Sequence, residues 1–125
     1  MIYTPHTAPE PEYEIEYYMT AGGEIPVKEM LDAMPLKHAF KVGKFFKLLE
    51  EKGPVLPRPY ADAVRGKIRE LVVDIQHHGY RFLHFYAGKT IVMTHGFLKK
   101  TPRTPPAEIE RAERHMNDWL RRNKA

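Results

Sequence analysis

Apolar runs broken by short polar turns stand out over Lys67–Thr101, KIRELVVDIQHHGYRFLHFYAGKTIVMTHGFLKKT, which reads as three strands in succession. Lys67–Ile75, Tyr80–Tyr86 and Thr90–Leu98 are rich in Val, Ile, Leu, Phe and Tyr, as strands are. Gln76-His77-His78-Gly79 and Ala87-Gly88-Lys89 are the turns between them. Connections this short join only antiparallel neighbours, because a parallel pair needs a crossover of about a dozen residues. Upstream the period changes. Tyr13–Met19 predicts a first strand, and Ala21-Gly22-Gly23 stops it. Ile25-Pro26 opens a short helix with Met30, Leu31 and Met34 on its apolar side, and Pro35 ends it. Leu36–Lys52 predicts a longer helix in which Phe40, Val42, Phe45, Phe46, Leu48 and Leu49 form one broad stripe, closed by Gly53-Pro54.

Val55–Gly66 reads as irregular, since prolines at 57 and 59 forbid a central strand. After Lys100, TPRTPP is a rigid connector to a final helix ending near Arg122. Ile109, Ala112, Met116, Trp119 and Leu120 form the buried stripe of that helix. The predicted order is β-α-α-β-β-β-α. The economical packing is an α+β domain: a small antiparallel sheet with the helices on one face. Met1–Pro11 holds three prolines and little apolar material. Residues 1–12 are therefore read as an extended arm, and 13–125 as a single domain.

Composition narrows the class only a little. The chain has 125 residues, a formal charge of +4 and no cysteine, which excludes disulfides and thiolate metal sites. No apolar run approaches the ~20 residues that span a bilayer. The N-terminal stretch has neither the basic start nor the apolar block of a secretory signal, so a cytoplasmic location without membrane contact is expected. Cations gather on the three-strand block and beside it. Arg81, Lys99 and Lys100, with Lys67, Arg69 and Arg58 beside them, make a basic surface that suits a polyanion. A guanidinium suits a phosphate because its fork takes two phosphate oxygens and it never deprotonates. Arg81 could equally bridge a carboxylate such as Glu70 or Asp74, and the lysine pair could simply be a solvated strand end. His95, near the lysines, is the candidate proton-transfer group. His84 falls on the opposite face of a regular strand from Arg81 and reads as a packing residue. No His and carboxylate spacing matches a metal site, and no cofactor is expected.

Tyr80-Arg81, then His95-Gly96-Phe97-Leu98-Lys99-Lys100-Thr101, then a proline and a helix opening Glu108-Ile109-Glu110-Arg111-Ala112, form an ordered set downstream of a helical pair. With that set the chain resembles the phage-derived HigB-like branch of the RelE/ParE toxin superfamily, over nearly all of its length after Tyr13. The resemblance implies a RelE-like fold and the toxin of a type II toxin–antitoxin system. It further implies an endoribonuclease that needs no metal and cuts mRNA, usually on the ribosome. The partner it implies is a cognate antitoxin, a small helix-turn-helix protein encoded alongside. Arg81 then matches the arginine facing the scissile phosphate, and Lys99-Lys100 match the basic pair after the last strand. One departure stands out. Where the family usually has Glu-Leu-Arg, this chain has Glu70-Leu71-Val72. Two other readings remain open: a ParE-type toxin that acts on DNA gyrase by protein contact, and a relative that binds RNA or a partner without catalysis.

Overall fold

The computed structural model describes residues 11–124, so most of the expected arm, residues 1–10, lies outside the described part. The chain forms β1 (Glu14–Tyr17), α1 (Pro26–Ala33), α2 (Leu36–Lys52), a turn of 3-10 helix at Gly53–Val55, β2 (Ala61–Arg65), β3 (Ile68–Ile75), β4 (His78–Ala87), β5 (Thr90–Leu98) and α3 (Pro106–Arg122). The five strands lie in the order β1-β5-β4-β3-β2. This is an α+β fold, consistent with a small RelE-like domain.

Three details differ from the sequence reading, each for a physical reason. The sheet is mixed, because β1 runs parallel to β5. Its partner follows only after α1, α2 and three further strands, so no short connection forces the pair to be antiparallel. Second, β2 forms after the prolines and pairs antiparallel with β3 at the sheet edge. Its Ala and Asp content hides it from strand propensity. Third, the helices cover both faces. Val27 of α1 and Val42, Phe46 and Leu49 of α2 pack on Leu71, Val73, Phe82, Ile91 and Met93. Ala112 of α3, with Met116 and Trp119 beside it, closes the opposite face over Ile68, Leu83, Phe85 and Val92. Residues 80–85 of β4 are buried without a break, so neither face of that strand tolerates water.

Phe40 also departs from the expected stripe. It stands 69% exposed on the outer side of α2, while His38, Val42, Phe46 and Leu49 turn inward.

A bulge in β5 decides which side chains reach each face near the strand end. Leu83 pairs with His95 but His84 pairs with Met93, so Thr94 is the extra residue. Beyond it the alternation is inverted, and His95 and Phe97 join the α3 face. Gly96 correspondingly faces α1, where a β-carbon would lie 2.5 Å from Met30 Sδ and 2.7 Å from Phe82 Cε1. Gly96→Ala is therefore expected to cost about 1–3 kcal/mol through overpacking. Urea unfolding with a midpoint equal to that of the parent chain would contradict this close approach.

Candidate functional site

Tyr80 sits opposite Leu98 and Arg81 opposite Phe97. One residue beyond β5, the Lys99 N–H still donates to the Gly79 carbonyl at 2.8 Å, so the pairing continues one more step. Across β3, Val72 lies opposite Arg81 and Asp74 opposite Gly79. Alternation then sends Val72, Asp74, Gly79, Arg81, Phe97 and Lys99 to the same face, the one that α3 covers further along.

Three of these side chains, Asp74, Arg81 and the base of Lys99, close in on Gly79. A methyl group on Gly79 would sit 3.4 Å from Arg81 Nη1, 3.4 Å from Asp74 Oδ1 and 3.6 Å from Lys99 Cβ. Arg81 Nη1 donates to Asp74 Oδ1 at 2.8 Å and to the Tyr80 carbonyl at 3.0 Å. The arginine is only 7% exposed, and its Nε is buried with no partner among the described residues. An unmet buried donor costs about 1–3 kcal/mol. Its counter-ion is open to water, the Asp74 side chain being 64% exposed. The carboxylate bridge expected as the alternative for Arg81 is thus present, with Asp74 rather than Glu70. Half of the guanidinium fork nevertheless remains unused.

Thr104 Oγ1 donates to the buried Glu70 carboxylate at 2.6 Å, tying the connector before α3 to β3 beside this rim. Lys100 is exposed next to Lys99. The structure therefore brings Arg81 and the base of the Lys99 side chain together at one strand end, with Lys100 one residue beyond.

A family model described as phage derived protein Gp49-like (DUF891) matches residues 29–117. The chain belongs to the Gp49-like family. It is a RelE/HigB-type toxin-like family, and the match takes in the whole rim from Val72 to Lys100. No match was found among curated proteins.

The other candidate residues of this Gp49-like chain are scattered. His95 shares the face of Arg81 because of the bulge, but it is wholly enclosed. Its Nε2 lies 3.2 Å from Glu108 Oε1 and its Nδ1 3.2 Å from Thr94 Oγ1. Burial, then the charges of Arg111, His115 and Arg114, push its pKa down to about 3. It is a neutral ring under α3, with no surface to offer a ribose. His84 is enclosed on the α1–α2 face, its Nδ1 3.2 Å from the Phe82 carbonyl and its pKa lowered to about 4, chiefly by burial.

Arg69 also faces away from Arg81, opposite His84. Lys67 lies in the turn before β3, at the end of that strand remote from Asp74. Arg58 stands on the Asp74 side of the sheet, before β2, with its Nε 2.8 Å from Asp62 Oδ2. Of these three cations, none joins the Arg81 cluster. Among the described residues, no group of three His, Asp or Glu side chains is placed to hold a metal ion, and no helix is long and apolar enough to cross a membrane.

Two members of the rim are not evident from sequence as site residues. Gly79 reads there as a turn residue, but β4 begins at His78 and places it within the ladder. Asp74 reads only as a possible ion-pair partner. The signal for both is the two-residue connection Gln76-His77, which fixes Asp74 opposite Gly79 and Val72 opposite Arg81.

Proposed function

We propose that this chain is the toxin of a two-component system, an endoribonuclease that cuts mRNA during translation and is neutralised by a protein encoded beside it. The observation that carries this reading is the convergence of Arg81, Asp74 and Lys99 around Gly79, in a chain of a toxin-like family. Arg81 donates to one non-bridging phosphate oxygen from the part of its guanidinium that Asp74 and the Tyr80 carbonyl leave unused, including the unpartnered Nε once the side chain shifts outward. Lys99 neutralises a second oxygen as charge builds on the phosphorane. Asp74 takes the proton of the ribose 2′-OH as its oxygen bonds to phosphorus. The bond from phosphorus to the 5′-oxygen breaks, and Lys100 supplies the proton that oxygen needs. The products are a 2′,3′-cyclic phosphate and a free 5′-hydroxyl. His95 takes no part in proton transfer on this scheme and positions α3 instead.

Expression of the chain alone is expected to arrest growth, with transcripts cut inside translated regions. Intact transcripts in arrested cells would overturn the reading, and DNA breaks with intact transcripts would select the gyrase alternative.

Val72 favours a second reading, a relative that grips RNA without cutting it. It occupies the position directly across from Arg81 where the resembling toxins carry an arginine. Val72→Arg restores a second guanidinium beside the first and is expected to raise cleavage of a translated mRNA by about tenfold or more. If the parent chain cuts nothing and the variant does, the non-cutting reading holds for the parent. A variant no more active than its parent would show that position 72 does not limit the reaction.

A further inference from the structure

Among the described residues, nothing packs over the outer side of α2. Leu36 and Phe40 are 84% and 69% exposed there. Gly43 and Lys47 continue the same line at the i, i+4, i+7, i+11 spacing of a helix–helix seam. This seam lies away from the stripe of His38, Val42, Phe46 and Leu49 that α2 uses for its own core. Open hollows of about 430 and 410 Å³ lie along it, the first lined by Ala39, Phe40, Gly43, Lys44 and Lys47. A third, of about 340 Å³, leads from Gly43 and Lys47 to Ile15 and Tyr17 of β1.

Gly43 sharpens the case. Glycine inside a helix costs about 1 kcal/mol relative to alanine. A β-carbon there would meet nothing within 4 Å, so no packing among the described residues requires its absence. A missing side chain on an outward face matters only to a surface that approaches from outside. Lys37, Lys41 and Lys44 lie along one side of the seam and Lys47 stands within it, all exposed. Self-association along α2 would bring these lysines together and is disfavoured. Nucleic acid would use the lysines but leave Leu36, Phe40 and the Gly43 notch unfilled.

We infer that this face docks an acidic amphipathic helix of a partner protein, its apolar residues seated on Leu36, Phe40 and Gly43 and its carboxylates against the flanking lysines. The surface is separate from the Arg81 rim, and the inference stands whether or not the chain cuts RNA.

The test uses the full chain and the product of the neighbouring reading frame, purified separately and titrated by calorimetry. Phe40→Asp and Gly43→Gln are each expected to weaken the complex by about tenfold or more, and Lys44→Glu with Lys47→Glu likewise. Leu120→Asp, at an exposed leucine of α3, should leave it unchanged. Phe40 and Gly43 carry no core packing, so unaltered thermal unfolding of the variants separates lost docking from lost fold. Absence of a complex, or one insensitive to Phe40 and Gly43, would overturn the inference. A charge reversal that weakens binding of a single-stranded RNA oligonucleotide and spares the protein complex would overturn it too. Cleavage of mRNA by the Phe40→Asp variant is expected to match the parent, which keeps this result distinct from any failure of the nuclease reading.

Discussion

Replacing Arg81 by Ala is expected to abolish growth arrest and to lower mRNA cleavage by about 10²–10³-fold, the scale on which removing one charge-stabilising donor acts. The fold should survive. Asp74, left without its partner, is already open to water and can hydrate, and an unsatisfied buried Nε disappears with the side chain. Arg81→Lys keeps the charge but loses the planar fork, so an intermediate loss is expected. Cleavage assays paired with thermal unfolding check both halves. An Arg81→Ala variant as toxic as its parent would remove this residue from the chemistry, whatever its stability.

The second large effect is on acid stability. His84 and His95 are enclosed and held neutral, with pKa values lowered to about 4 and about 3, first of all by burial. His115, half-buried and flanked by Arg111 and Arg114, is lowered to about 4 for the same leading reason. The unfolded chain titrates its histidines near 6.5. Below that pH the unfolded form binds protons that the folded form refuses. The stability these groups allow is thus complete above about pH 6.5 and is lost progressively as pH falls toward 4. Each enclosed histidine can remove up to about 1.4 kcal/mol per pH unit in that window, and half-buried His115 removes less. A urea midpoint substantially lower at pH 5 than at pH 7 is expected, and His95→Gln should flatten the dependence. Equal midpoints at the two pH values would show that these rings accept protons in place.

Much of the fold is legible in the sequence because its signals are local. Pro26, Pro35 and Gly53-Pro54 punctuate the helices, and the turns of the β3–β4–β5 block come from the spacing of its apolar runs. The parallel partner of β1 is not legible, since pairing between residues so distant in sequence leaves no mark on either strand. The second covered face is partly legible. The run from Tyr80 to Tyr86 is apolar on both sides of its Arg and His, which demands cover above and below. At the site, parity along single strands correctly separates His84 from Arg81. It cannot place His95, because one extra residue, Thr94, inverts every later side chain of the strand. Hydrophobicity alone draws Phe40 into the buried stripe, although its position on α2 faces outward.

The most direct measurement is a double-mutant cycle of Arg81→Ala and Lys99→Ala, read on binding of a short single-stranded RNA with a 2′-deoxy residue at the cut position so that no cleavage intervenes. If both cations hold the same phosphodiester, the two losses are expected to be non-additive by about 1 kcal/mol or more. Additive losses, or a Lys99 variant that binds as the parent does, would mean the two cations serve separate sites and no shared grip on the phosphate exists.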